Sequence, residues 1–294
     1  MIIVKLMGGL GNQLFQYAAA RRLSIHHNTP LKLDIGFFKN DLLRSYDLSH
    51  FCIQGEFAST EEIAALKWAP RNSLTKFSLV YRPIHAIERN FRRSIFYERK
   101  LRPYDPNILN TPPNVYLDGY WQSEKYFSDV EGIIGHEFTF RDVLDDRNRK
   151  VAEEISNTQS VSVHIRRGDL VSDPKNRIFA SCSQDYYYRC AAMIAERVAN
   201  PHFYIFSDDS NWVKANLHLD DATTFVTHND AAKAHEDLRL MSLCKHHIIA
   251  NSSFSWWGAW LGTNPNKVVF APNRWFNDPS FDTRDLIPST WIKL

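Results

Sequence analysis

From about residue 158 onward, apolar positions alternate between short β-branched runs and stretches with helical spacing. The pattern predicts strands over 160–165, 203–206, 223–227, 247–250 and 268–271, with helices over 184–198, 210–217, 234–244 and 253–261 between them. Strands that alternate with helices build a parallel sheet, so this half reads as Rossmann-like α/β. The N-terminal part begins in the same rhythm, with a strand over 2–6, a glycine turn, a helix over 12–26 and a strand over 31–34. It then loses its regularity until a strand over 114–118. Two Rossmann-like halves fit the chain best, 1–157 and 158–294, divided near the polar helix that starts at Asp145-Asp146-Arg147-Asn148-Arg149-Lys150. No internal repeat or low-complexity segment interrupts them.

A chain of 294 residues can bury two such cores. The net charge of +2 is ordinary, but residues 67–102 hold ten Lys or Arg against two Glu, about +8. That window reads either as a solvated helical face or as an electrostatic dock for an anionic acceptor or a membrane surface. A nucleic-acid role is disfavoured, because the window carries no signature motif and the whole chain is near neutral. Cys52, Cys182, Cys190 and Cys244 are scattered and read as reduced thiols. No apolar run approaches the ~18 residues that span a bilayer, and the chain opens directly into a strand, so a soluble cytoplasmic protein is expected. Aromatic residues make up 13%, with eight Trp, a composition common at sugar-stacking surfaces.

Three segments carry candidate chemistry. His164-Ile165-Arg166-Arg167-Gly168-Asp169 places two arginines where a buried strand breaks into a loop. Open α/β sheets bind ligands at that edge, and guanidinium groups fit phosphate oxygens two at a time. An internal ion pair between Arg167 and Asp169 is the plainer alternative. Gly8-Gly9-Leu10-Gly11-Asn12-Gln13 joins the first strand to its helix; it lacks the third glycine of a dinucleotide fingerprint and the lysine of a P-loop. Its neutral amides suit hydroxyl groups, unless Asn12 merely caps the helix. Asn251-Ser252-Ser253-Phe254-Ser255-Trp256-Trp257-Gly258 runs from a buried strand into a serine-rich helix start of the kind that binds phosphate, and at least two of Trp256, Trp257 and Trp260 are expected to be core.

Asp208 and Asp209 read as helix caps at another strand end, and Asp237 lies early in the helix before the serine motif. His246 and His247 adjoin on a strand and should point to opposite faces, one to the core and one to the surface. No D-x-D triplet occurs, so arginine rather than a divalent metal is left to neutralise a diphosphate.

Together these three segments, with Gly119-Tyr120-Trp121-Gln122-Ser123-Glu124, resemble the bacterial α-1,2-fucosyltransferases of glycosyltransferase family 11. The resemblance covers nearly the whole chain. It implies a GT-B arrangement of two Rossmann-like domains facing across a cleft, with the acceptor on the N-terminal side and GDP-fucose on the C-terminal half. It implies inverting, metal-independent transfer of L-fucose to the 2-hydroxyl of a terminal galactose, in surface-polysaccharide or O-antigen assembly, with no cofactor. Carried over by motif, Arg166 grips the β-phosphate, His164 and Asp237 meet the nucleoside, and Ser252 and Ser253 meet the phosphates, with Arg167, Asn251 and Phe254 beside them. Asn12 falls near the reacting sugars, and Gln13, Asp118, Trp121 and Gln122 on the acceptor side. The resemblance names no general base. Asp169, Asp34 and Asp118 are candidates by strand-end position, and Asp169 has orienting Arg166 as its alternative role.

Three rival readings stand beside this one. Fucosyltransferases that form α-1,6 bonds share an Arg-Arg motif of this kind, two Rossmann-like halves with a glycine turn also suit a nicotinamide-dependent oxidoreductase, and a non-catalytic glycan-binding protein would have no use for the arginine pair. The basic window adds a possible dock, at the membrane face, for an acceptor carried on a lipid diphosphate.

Overall fold

The computed structural model describes residues 1–67, 94–98, 103–168 and 178–294. They form two compact units, Met1–Thr139 with Arg284–Leu286, and Phe140–Thr283 with Ile287–Leu294.

In the first unit, β1 (Ile2–Lys5), β2 (Leu31–Asp34), β3 (Glu56–Phe57), β4 (Ile95–Tyr97) and β5 (Val115–Asp118) form a parallel sheet in the order β3-β2-β1-β5-β4. Ile2, Ile3 and Val4 are fully buried, as expected of a central parallel strand covered on both faces. Helix α1 (Leu10–His27) follows β1 and begins two residues before the expected start. It ends where Asn28 enters the left-handed region at φ 47° and its N–H returns to the Ile25 carbonyl, a stop that Pro30 reinforces. Helix α2 (Thr60–Lys67), with β3 and β4, falls in the stretch where the sequence shows no rhythm, and α3 (Glu131–Glu137) follows β5.

In the second unit, α4 (Asp146–Asn157) leads into β6 (Gln159–Ile165), α5 (Gln184–Ala195), β7 (Pro201–Ser207), α6 (Ser210–Asn216), β8 (Ala222–Val226), α7 (Ala234–Leu243), β9 (His246–Ile248), α8 (Ser253–Trp260), β10 (Val269–Ala271) and β11 (Ile292–Lys293). The strands are parallel in the order β8-β7-β6-β9-β10-β11. Alternate residues feed two cores. Val161, Val163, Ile165, Phe203 and Ile205 pack with Ile194 of α5, while Tyr204, Phe206 and Val226 pack on the other face with Ile155 of α4 and Leu240 of α7. That burial of Ile155 explains why the unit begins at Phe140 and not, as the sequence suggested, at 158. α4 is polar outside and apolar where it meets the sheet, so it belongs with the strands it covers.

Trp256 and Trp257 are fully buried, with Trp256 lying 5.4 Å from the Trp291 ring, so packing is their role. His246 and His247, one of which was expected at the surface, are both buried. His246 Nδ1 accepts the Val268 N–H at 3.1 Å, while His247 Nδ1 meets Ser162 Oγ at 2.8 Å. Helices on both faces leave neither histidine a solvent side.

Candidate active site

Counted along the chain, the second sheet has the order 3-2-1-4-5-6, and its direction reverses between β6 and β9. At such a reversal the loops leaving the two strands diverge to opposite faces and open a crevice at their carboxyl ends. The arginine motif leaves β6 there, and the serine motif leaves β9. Arg166 Nη1 donates to the Asn251 carbonyl at 3.3 Å, linking residues 85 apart in sequence. The Arg166 guanidinium also lies over the Phe179 ring, 4.7 Å from its centroid.

Asn251 is buried and its amide is spent on structure, with Nδ2 donating to the carbonyls of Ala180 and, at 3.2 Å, Trp275. Ser252 is the N-cap of α8, its Oγ accepting the Phe254 N–H at 3.3 Å, and Ser253 is the first helical residue. The Phe254 and His164 rings are 5.6 Å apart, side by side at the same edge. The sheet therefore brings Arg166, His164, Asn251, Ser252, Ser253 and Phe254 together.

Arg167 turns away. Its N–H donates to Asp208 at 2.8 Å, its Nε stands 3.5 Å from Asp209, and its guanidinium covers the Trp212 ring at 4.1 Å. Successive residues leaving a strand point to opposite sides, which divides the pair into one arginine at the crevice and one bound to α6. Asp209 caps α6 as expected, accepting the Trp212 N–H. Asp169 lies outside the described residues, and so does most of the basic window 67–102.

Asp237, on α7, is tied to the loop after β8. Asn229 Nδ2 donates to its Oδ1 at 2.7 Å, and Asn229 in turn pairs with the buried Asn148, whose Oδ1 also meets His228 Nε2 at 2.8 Å. Burial pushes the Asp237 carboxyl up to about 7, against the opposing pull of the Asn229 hydrogen bond. A half-buried acid held in this way is suited to accept N–H groups from a ligand.

The first unit's order, β3-β2-β1-β5-β4, has no such reversal, but β1 and β5 lie side by side, and the glycine loop and the Gly119–Glu124 motif leave their carboxyl ends. Gly8 sits at φ +76°, and a Cβ there would approach Asn12 Nδ2 to 2.7 Å. Two glutamines of α1 hold the loop from inside. Gln16 accepts the Met7 N–H, while Gln13 donates to the carbonyls of Gly8 and Ser45 and accepts the Asp47 N–H. Gly9, not Asn12, is the N-cap, and Asn12 Oδ1 instead accepts from Gln122 Nε2 at 2.8 Å.

Of the acceptor-side residues, Gln122 and Asp118 are partly exposed. Gln13 is buried with its amide fully engaged, and Trp121 is a core ring, 1% exposed and stacked on Phe96 at 5.8 Å. Neither therefore offers a surface to a sugar. The candidate bases are also partnered. Asp118 pairs with Lys5 at 3.2 Å, and Asp34 accepts the Tyr116 hydroxyl at 2.6 Å and the Gly36 N–H, with Lys67 at 3.6 Å.

Sequence reasoning missed Phe179, Trp212, Asn229 and Glu98. None of them lies in a motif, and only the strand-end position of Asn229 was a usable signal. Among the described residues, no cluster of three or more His, Cys, Asp or Glu side chains could hold a metal ion, and no helix is long and apolar enough to cross a membrane.

The model of the family "Glycosyl transferase family 11" matches residues 1–294. An alpha-1,2-colitosyltransferase of Escherichia coli is 33% identical over 301 residues, covering 100% of this chain and 99% of that protein. A galactoside 2-alpha-L-fucosyltransferase of Caenorhabditis elegans is 27% identical over 198 residues, 60% of this chain and 52% of its own length. Among solved structures, the NodZ alpha-1,6-fucosyltransferase soaked with GDP-fucose superposes with a TM-score of 0.54 at 17% identity, covering 95% of this chain and 96% of that one. That likeness establishes the fold, a GT-B-like α/β architecture with two parallel sheets.

Proposed function

Because the chain belongs to glycosyl transferase family 11, we propose that it transfers L-fucose from GDP-β-L-fucose to the 2-hydroxyl of a terminal galactose, with inversion and without a metal. The observation that carries this reading is the contact of Arg166 with Asn251, the residue before Ser252, at the reversal of the second sheet. A nucleoside diphosphate laid there has a guanidinium at its β-phosphate and the Ser252–Ser253 helix start beside it. Asp237, fixed by Asn229, accepts the N–H edge of guanine.

In the reaction the bond between fucose C1 and the β-phosphate oxygen breaks while the galactose O2 attacks from the opposite face. The electron pair of the broken bond goes to the diphosphate and the hydroxyl proton to a base. Negative charge grows on the departing oxygen, so a cation fixed beside it lowers the barrier more than it tightens the ground state. Arg166 has that role, and Arg167, bound to Asp209 and Trp212, supports the strand end that carries it. On the acceptor side, the Asn12–Gln122 pair offers neutral amides to sugar hydroxyls. Asp34, Asp118 and Asp169 are the candidates for the base.

A second donor is favoured by one observation, the whole-length likeness to an alpha-1,2-colitosyltransferase. Colitose lacks the 3-hydroxyl of fucose, so the two donors differ by one hydrogen-bonding group. The test is incubation with GDP-fucose or GDP-colitose, EDTA and Galβ1,3- and Galβ1,4-terminated acceptors, with Arg166→Ala as control and the new linkage located by NMR. Fucose on the galactose 2-hydroxyl with wild type alone is the expected result. Transfer only from GDP-colitose corrects the donor, and the absence of both transfer and GDP binding overturns the reading.

A further inference from the structure

Glu98 leaves the carboxyl end of the edge strand β4, with no motif around it. Its Oε2 accepts two successive backbone N–H groups, Tyr120 at 2.5 Å and Trp121 at 3.0 Å. Trp121 stands at φ +57°, a conformation that costs a bulky residue free energy and persists where its surroundings enforce it. Successive N–H groups in such a turn form a concavity that binds an anion, and here the anion is the chain's own carboxylate.

The fit is tight. A Cβ on Gly119 would stand 2.9 Å from Glu98 Oε2 and from Trp121 Cε2, so only glycine lets the carboxylate approach. The Trp121 ring is locked by Phe96 and Tyr126, and the Ser123 N–H closes back on the Trp121 carbonyl at 2.8 Å. Between these fixed points lies Gln122, whose side-chain amide meets Asn12. Burial also pushes the Glu98 carboxyl up from its usual range, a cost offset by the two N–H groups it accepts.

We propose that Glu98 is a positioning residue of the acceptor side, folding the 119–123 turn around its carboxylate so that Gln122 is presented to Asn12 and to the sugar bound there. This rests on the reading that the neighbouring carboxyl ends of β1 and β5 hold the acceptor.

The experiment compares full-length wild type, Glu98→Gln, Glu98→Asp and Glu98→Ala for kcat and KM toward the galactoside, with the GDP dissociation constant measured on each. Glutamine keeps an oxygen that can accept both N–H groups, so Glu98→Gln should stay near wild type. Glu98→Ala should lose roughly tenfold to a hundredfold in kcat/KM for the acceptor, as expected when a binding group is displaced by about 1 Å, while GDP binding is unchanged. Glu98→Asp, which keeps the charge but cannot reach, should fall with it and serves where the alanine variant does not fold. Acceptor kinetics of either short variant equal to wild type would overturn the proposal, as would loss of GDP affinity in parallel with acceptor activity. A wild type that binds no GDP and transfers no sugar sinks the functional reading itself, a result distinct from normal wild-type transfer with unaffected variants.

Discussion

The two sheets each present a pair of neighbouring strand ends, and the pairs are furnished differently. Each brings together two loops that leave the carboxyl ends of adjacent parallel strands, β6 and β9 in the second unit, β1 and β5 in the first. In the second unit the link between the loops is a guanidinium on a carbonyl, Arg166 on Asn251. In the first it is an amide on an amide, Gln122 on Asn12, and the nearby Lys5 and Asp118 pair with each other. Topology thus decides where a ligand can sit, and residue type decides which ligand. A cation at the strand end suits a diphosphate, while neutral amides suit hydroxyl groups.

The sharpest way to break this contrast is Arg166→Ala, which should lower the transfer rate by roughly a hundredfold to a thousandfold, the loss seen when a preorganised partner of developing charge is removed. Arg166→Lys should recover part of it, because an ammonium supplies charge without the planar fork. Asn12→Ala or Gln122→Ala should cost roughly tenfold to a hundredfold in acceptor kcat/KM, with the GDP-fucose KM unchanged.

A smaller effect concerns Asp237. With its carboxyl at about 7 against the ordinary 3.8, the folded chain takes up a proton between those values, so this residue's contribution to stability falls as pH rises from 3.8 toward 7. A guanine edge that donates to the carboxylate favours the charged form, so guanosine should bind roughly tenfold more tightly at pH 8 than at pH 6. Asp237→Asn should flatten that slope. Guanosine is the better probe, because the terminal phosphate of GDP titrates in the same range. The smallest effect is expected of Arg167→Ala, about 1 kcal/mol of stability in denaturant titration, from its stacking on Trp212 and its partly exposed contact with Asp209.

The second unit was nearly all legible in the sequence. Val161-Ser162-Val163-His164-Ile165 alternates cleanly, and three of the four helices between strands carry their own caps, Ser183, Asp209 and Ser252. What escaped was β11, two residues whose pairing depends on a chain end returning to β10. The first unit was legible only in β1, α1, β2 and β5. Its β3 is too short to show a period, and its turn at Gly119–Ser123 is ordered by Glu98, an acid with no local pattern around it. Asp285, far along the chain, returns to accept from Tyr104 and Lys125 in the first unit, a contact that no window of sequence discloses. The division of the arginine pair was likewise invisible, because Asp209 and Trp212 approach Arg167 only after β7 pairs with β6.

The contrast between the two pairs of strand ends is tested most directly by titration calorimetry of GDP into wild type, Arg166→Ala and Asn12→Ala. Weakened binding in Arg166→Ala alone, with Asn12→Ala matching wild type, is the predicted result. Equal loss in both variants, or undiminished affinity in Arg166→Ala, would contradict the assignment of the diphosphate to the second unit's reversal.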